Sequence, residues 1–200
     1  IAALLQQQWC LPCRLLHFSD DPVELQTGLA ALLEGYDILI LSGAVSEGKF
    51  DHVPTVLQTL WVHRQFHKVA QRPGKPFWFG TYGAQKTVFA LPGNPVSALL
   101  CCCRYILPFL QKSMGTTRPR WPEMLRLGET VSFQPALTCF IPCFIKDDPR
   151  GYPLAFPMPG HGSGDLANLT EADGFLELPP DRTLFAQGEV FHFYPYRSPL

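Results

Sequence analysis

Glycine-rich and positively charged loops follow three apolar runs of the chain. The loops comprise residues 42–48, 72–76 and 92–95, and each apolar run before them is typical of a strand. Glycine lets backbone N–H groups approach a ligand closely, and Arg72 and Lys75 add positive charge. Because ligands of open α/β sheets bind beyond the carboxyl ends of the strands, the loops together predict an anion-binding site.

The segments around these loops alternate between helix and strand patterns. Asp20 or Asp21 is expected to cap a helix that has Pro22 in its first turn, and Asp51 is expected to open the next helix. Further helices are predicted at 1–9 and from Asn94 to about Lys112, with extended segments at 14–18, 37–41, 65–70, 76–82 and 87–91. This alternation predicts an α/β layered domain over residues 1–115.

A polar segment rich in helix breakers, residues 113–119, reads as a linker to a second domain. Beyond it, short apolar runs at 129–134, 138–145, 152–157, 174–178 and 189–194 are separated by proline and glycine. Short strands with such spacing predict a small all-β barrel or sandwich over residues 116–200.

Composition limits the classes of function. The 200 residues carry a formal charge of −1, which argues against general nucleic-acid binding. There is neither an apolar run of about 20 residues to span a membrane nor a signal peptide pattern. Seven cysteines without a framework of spacings indicate a reducing compartment, so we expect a cytoplasmic protein. Since the chain does not start with Met, we expect it to begin inside a larger protein.

The Trp9–Cys13 segment has the Trp-Cys-x-x-Cys spacing of thiol redox proteins. That motif needs a strand before it and a helix after it, so that the helix N-terminus lowers the pKa of the first thiol. Here a helical pattern precedes Cys10 and an extended one follows Cys13. A redox role of this pair is therefore the least favoured reading.

Four runs carry a resemblance to a known family: DILILSGAVSEGKFD, FHKVAQRPGKPFWFG, VFALPGNPVSALL and HGSGDLANLTEADGFLELP. They resemble the third and C-terminal domains of the MoeA-type molybdopterin molybdotransferases, the family that includes the E domain of gephyrin. The resemblance covers roughly residues 18–194. It implies insertion of molybdate into adenylylated molybdopterin with release of AMP. The alternative is a non-catalytic, gephyrin-like scaffold for dimerisation and peptide binding.

The resemblance also implies roles for individual residues. Asp20, Asp51 and Lys68 fall on active-site positions of the family, and the two aspartates would hold Mg²⁺ beside the pyrophosphate. By themselves the aspartates could equally be helix caps and Lys68 a surface lysine. Substrate contacts are implied for Ser42, Gly43, Ser46, Gly48, Arg72, Gly74, Lys75, Pro76, Pro92, Gly93, Asn94 and Ser163. Of these, Asn94 could also be a helix cap, and Ser163 a serine in a tight turn.

The chain departs from the family pattern in two respects. Members of the family have two further N-terminal domains and a Gly-Asp-Glu-Leu-type motif on the first strand of the α/β domain, which is therefore expected to be N-terminally truncated here. Their active site lies at a homodimer interface, and a homodimer is implied here as well. Many relatives also carry arginines in the strand equivalent to residues 136–143, where this chain has Leu137 and Pro142.

Overall fold

The computed structural model describes residues 1–9, 12–45, 52–115, 122–134, 136–158 and 167–197. These residues form two compact units, Ile1–Val69 with Gly74–Ala98 and Ala70–Pro73 with Leu99–Leu200. The division into domains 1–115 and 116–200 stays a prediction. Within the described ranges, no helix is both long and apolar enough to cross a membrane.

Helical segments occur mainly in the first two thirds of the chain. They are α1 (Ala2–Trp9), α2 (Pro22–Gly35), α3 (Val53–Thr59), α4 (Pro95–Cys101), a π-helical turn (Cys102–Ile106), α5 (Leu107–Ser113) and α6 (Ala167–Glu171). The strands are β1 (Ile38–Val45), β2 (His63–His67), β3 (Gln71–Arg72), β4 (Trp78–Tyr82), β5 (Lys86–Pro92), β6 (Glu123–Leu127), β7 (Val131–Ser132), β8 (Thr138–Asp147), β9 (Pro153–Pro157), β10 (Gly174–Leu178), β11 (Leu184–Phe185) and β12 (Val190–Pro195).

The first unit contains a four-stranded sheet with the order β1-β5-β4-β2. Strands β1 and β5 are parallel, whereas β4 runs antiparallel to both β5 and β2. Helices α2 and α3 share a buried cluster with this sheet, made of Leu25, Leu29, Leu33, Leu39, Val45, Val56, Leu57, Val62, Trp78, Val88 and Ala90. This cluster confirms the predicted α/β layering.

Both ends of α2 are stabilised by side chains. At the start, Asp21 Oδ1 accepts hydrogen bonds from the backbone N–H groups of Val23 and Glu24, each at 2.9 Å, so Asp21 rather than Asp20 is the cap. At the other end, Lys86 Nζ donates to the carbonyl oxygens of Leu33 and Glu34. Lys86 begins β5, so the start of α2 points towards the edge where β1 and β5 end.

The helical segments from Pro95 to Ser113 are interrupted by a π-helical turn. Asn94 is the predicted cap, since its Oδ1 accepts from Ser97 N at 3.0 Å and from Ser97 Oγ at 3.3 Å. In the π turn, Leu107 N bonds to Cys102 O instead of to the carbonyl one residue later. Pro108 explains this change, because proline lacks an N–H group and its ring collides with the carbonyl four residues before it.

The second unit is built around a closed barrel. Strand β10 pairs with both β12 and β8, and β6 and β9 complete the ring β10-β12-β6-β9-β8. Its interior is apolar and contains Leu127, Cys143, Ala155, Leu176, Leu178 and Phe193. Strand β3 adds parallel to β8, while β7 and β11 form a separate pair. The second predicted domain is therefore a barrel.

Three local predictions are wrong. Residues 14–18 form no strand, and Leu15 is 80% exposed. A strand needs a hydrogen-bonding neighbour, and residues 14–18 pair with none in the part of the chain that the structure describes. Strand β2 ends at His67, so Lys68 and the remaining residues 69–70 of the predicted extended segment 65–70 lie beyond the strand. Helix α3 begins at Val53 with His52 as its N-cap, and the His52 side chain makes no capping hydrogen bond.

Candidate anion-binding site

The described first-unit parts of the three predicted loops, residues 42–45, 74–76 and 92–95, lie at one edge of the first unit's sheet. The parallel strands β1 and β5 end together, with Ser42 opposite Leu91. Strand β4 starts beside the end of β5, and β2 ends beside the start of β4, where His67 pairs with Trp78. The residues that follow β1, β2 and β5 therefore all leave the sheet on the same side.

Two glycine turns approach each other at this edge. Gly43 has φ +76°, a left-handed conformation that favours glycine, and it is exposed beside the exposed Ser42. A Cβ atom on Gly93 would lie 3.7 Å from Gly43 Cα, so the two backbones are neighbours. Pro92 is buried beside them and Asn94 is half-buried. Gly43 and Gly93 are both exposed, so their backbone is accessible from solvent.

The loop between β2 and β4 is closed by its own backbone. Lys68 N donates to Phe77 O and Val69 N donates to Lys75 O, both at 2.9 Å. Lys68 has φ +72°, which is uncommon for a residue with a side chain, and the buried Gly74 has φ +90°. Both lysines are exposed. The loop thus places two cations at the edge where the glycine turns lie, and the half-buried Pro76 leads into β4.

Arg72 belongs to the second unit, with the rest of residues 70–73. As part of β3 it pairs with Cys139 of β8, and its guanidinium carbon lies 6.0 Å from the centre of the Phe133 ring. Its neighbour Gln71, which the sequence did not single out, is 3% exposed. The sequence signal for Gln71 was its position, since this amide side chain stands between the apolar Val69 and Ala70 and the turn at Pro73.

Asp20 is exposed just before α2, at the end of that helix nearest the loop-bearing edge. Asp51, Ser46, Gly48 and Ser163 lie outside the described residues. The parts of the chain that the structure describes contain no group of three or more His, Cys, Asp or Glu side chains that could hold a metal ion. Of the two aspartates predicted to hold Mg²⁺, Asp20 is the one within the described residues.

The five cysteines outside the Trp9–Cys13 segment are all buried. Cys101, Cys102, Cys103, Cys139 and Cys143 are buried, whereas Cys13 is exposed and Cys10 lies outside the described residues. Burial raises the pKa of the Cys101 thiol to about 12 and that of Cys139 to about 11. Because the thiolate is the reactive form, these side chains serve as apolar filling.

A charged cluster that the sequence did not indicate lies in the second unit. Glu177 Oε2 accepts a 2.6 Å hydrogen bond from the Tyr194 hydroxyl and lies 3.6 Å from Arg104 Nε and 3.7 Å from His192 Nδ1. The Arg104 guanidinium lies over the rings of Tyr105 and Tyr194. Burial, followed by the hydrogen bond to Glu177, raises the pKa of Tyr194. These contacts join the π turn to the barrel, which is a structural role.

The outer surface of the barrel has an open depression of about 460 Å³ near the turn between β8 and β9. It is lined by Lys146, Asp147, Asp148, Pro149, Leu154, Phe156 and Gln187. None of the predicted site residues lines it, and its charges are of both signs.

These features define a class: a layered α/β domain with an anion-suited loop edge, followed by a small β-barrel. Two family models match the chain, the probable molybdopterin binding domain over residues 1–112 and the MoeA C-terminal region (domain IV) over residues 124–196. The chain belongs to the molybdopterin-binding family and corresponds to the C-terminal half of the MoeA-type molybdopterin molybdenumtransferases.

Individual relatives agree with this assignment. A molybdopterin molybdenumtransferase of Synechocystis sp. is 39% identical over 194 residues, which are 96% of this chain and 47% of that enzyme. The enzyme of the same name from Haemophilus influenzae is 27% identical over 202 residues, which are 100% of this chain and 50% of that enzyme. A crystal structure of the MoeA protein from Pyrococcus horikosii superposes with a TM-score of 0.70 at 26% identity, covering 90% of this chain and 42% of that one. The chain spans about half the length of the relatives it matches.

Proposed function

We propose that the protein containing this chain inserts molybdate into adenylylated molybdopterin, with release of AMP, in molybdenum cofactor biosynthesis. The observation that carries the proposal is the single sheet edge with two glycine turns and the exposed Lys68 and Lys75. Support also comes from the names of the relatives, which are molybdopterin molybdenumtransferases.

Molybdate is a tetrahedral dianion, and it suits cations and backbone N–H donors that converge on one point. In the proposal, Lys75, Gly74 and Arg72 hold molybdate, and Pro76 fixes the exit of their loop. Lys68 contacts the phosphate or pterin and acts in catalysis. The remaining contacts to the adenylylated pterin are assigned to Ser42, Gly43, Ser46, Gly48, Pro92, Gly93, Asn94 and Ser163.

We further propose that Mg²⁺ is held by Asp20 and Asp51. When bound, the ion would supply neutralisation of pyrophosphate charge. The exposed position of Asp20, freed from capping by Asp21, supports an available carboxylate there. Loss of Mg²⁺ affinity in Asp20→Asn, measured by titration of the full-length protein, is the expected result.

The working protein is proposed to be a cytoplasmic homodimer whose partners are its two substrates, without nucleic acid or membrane. The competing proposal, a gephyrin-like scaffold without catalysis, is less favoured because it gives no role to the exposed lysines at the loop edge. Sedimentation of the full-length protein tests the dimer, and loss of activity on dilution below its dissociation constant would support an interfacial site.

Molybdate-dependent AMP release from adenylylated molybdopterin by the full-length gene product tests the proposed reaction. We expect release in the wild type. Asp51→Asn should spare molybdate binding and slow AMP release, because loss of one negative charge harms metal binding more than oxyanion binding. Lys75→Ala should primarily weaken molybdate binding. Absence of AMP release in a folded wild-type protein would favour the scaffold.

A further inference from the structure

Gln71 is a polar side chain in the interior of the second unit. It is 3% exposed, although it directly precedes Arg72, whose side chain is exposed. A buried carboxamide is costly unless both its donor and its acceptor are paired. The partners of this amide therefore show what its presence achieves.

Both ends of the Gln71 amide are hydrogen-bonded. Nε2 donates to the backbone carbonyl of Pro73 at 3.0 Å and lies 3.9 Å from Cys101 Sγ. Oε1 accepts from the hydroxyl of Tyr105. The Pro73 carbonyl can only accept, which fixes the orientation of the amide and leaves Oε1 for a donor. The Gln71 side chain thus bonds across Arg72 to the backbone of Pro73, and it connects this turn to Tyr105.

Tyr105 can serve as a permanent donor. It lies in the π-helical turn, a helix irregularity that is frequent at functional sites. Burial raises the pKa of its hydroxyl to about 12, so the group stays protonated at neutral pH. The hydrogen bond to Gln71 is therefore available throughout the physiological range.

The backbone holds the same segment from the other side. Thr138 N donates to Ala70 O at 3.1 Å, and β3 pairs with β8 through Gln71 opposite Thr138 and Arg72 opposite Cys139. A strand of two residues is too short to be stable alone. The hydrogen bonds of the Gln71 side chain add to the two-residue backbone pairing and help to hold β3 in place.

We propose that Gln71 and Tyr105 are positioning residues, which hold the Arg72–Pro73 turn so that Arg72 is presented to molybdate. This inference rests on the proposed function, because it assigns the oxyanion as the ligand of Arg72. Neither residue touches substrate. Their effect is to reduce the conformations open to Arg72 before the anion binds.

The test compares Tyr105→Phe, Gln71→Met and the double variant with a matched control, Tyr196→Phe. Tyr196 also lies in the second unit, and its hydroxyl donates a 3.0 Å hydrogen bond to Leu169 O, whereas that of Tyr105 donates to Gln71. Two quantities are measured on the full-length protein: amide hydrogen exchange of peptides covering residues 68–77, and molybdate affinity by equilibrium dialysis.

We expect Tyr105→Phe to speed exchange in this segment and to weaken molybdate binding by roughly three- to tenfold, the value of one buried hydrogen bond. In the Gln71→Met background, Tyr105→Phe should add little, because no amide remains to be left unpaired. Tyr196→Phe should change neither quantity. In the full-length enzyme, Tyr105→Phe should raise KM for molybdate more than it lowers kcat.

Unchanged exchange and affinity in Tyr105→Phe, or equal changes in Tyr196→Phe, would overturn the inference while leaving the proposed function intact. A full-length wild-type protein that binds no molybdate would instead overturn the proposed function, and the exchange measurement would still decide whether Tyr105 and Gln71 hold the turn.

Discussion

At the scale of single residues, the adjacent Asp20 and Asp21 have different tasks. Asp21 caps α2 with two backbone hydrogen bonds, while Asp20 is exposed before the helix. Asp21→Ala should lower the free energy of unfolding by about 1 kcal/mol, the usual value of an N-cap. Asp20→Ala should leave it unchanged. Urea unfolding of both variants measures the difference, and equal losses would contradict this assignment of the cap.

Lys68 keeps its side chain at a conformational cost, since its φ is +72°. Glycine adopts this conformation without strain, so Lys68→Gly should be more stable than Lys68→Ala by about 1 kcal/mol. Both variants lose the same cation, and both should therefore weaken anion binding equally. Thermal unfolding with a binding titration separates the two effects. If alanine were as stable as glycine here, Lys68 would not be strained.

The candidate site residues that the sequence identified are those that a local pattern defines. A few neighbouring residues are enough to recognise a glycine turn, the capping position of Asn94 three residues before Ser97, or a lysine in a loop with proline and glycine. The hydrogen bond from Tyr105 to Gln71 joins residues 34 positions apart, so no local pattern contains it.

At the scale of elements, the ends of β1 and β5 bring Gly43 and Gly93 together, yet the two glycines should tolerate alanine differently. Gly43→Ala places a Cβ on a residue with φ +76°, and we expect a loss of about 1–2 kcal/mol of stability. At Gly93 the new Cβ meets only ordinary contact at 3.7 Å. Gly93→Ala should therefore fold normally. Denaturant unfolding tests the pair, and a larger loss at Gly93 would mean that the turns are packed differently.

The helices were predicted more successfully than the strands. The apolar stripe of α2 and its cap lie within one segment, so the sequence alone predicts it. A strand depends on a neighbour elsewhere in the chain. Residues 14–18 have the pattern of a strand but pair with nothing in the described ranges, while β6 and the two-residue β11 were not predicted.

At the scale of the whole molecule, the buried thiols predict how stability depends on pH. The Cys139 thiol has an ordinary pKa of 9.0, and burial raises it to about 11 in the folded chain. As the pH rises through this window, the unfolded chain loses its protons first and is favoured. Stability should thus be constant below the lower value and fall above it.

Urea unfolding at several pH values measures this fall. Cys139→Ala should make the fall of the unfolding free energy with pH shallower. The matched substitution of the exposed Cys13, Cys13→Ala, should leave this slope unchanged. A slope that does not respond to Cys139→Ala would show that other groups cause the alkaline loss of stability.

We propose that the loop edge of the first unit binds molybdate, and equilibrium dialysis of molybdate against the full-length protein tests this most directly. Three forms are compared: the wild type, Lys75→Ala and the control Lys146→Ala, whose exposed lysine lies on the barrel. We expect binding that Lys75→Ala weakens roughly ten- to a hundredfold, as the loss of a charge-assisted contact predicts. Lys146→Ala should bind as the wild type does. Equal losses in both variants, or no binding by the wild type, would contradict the account.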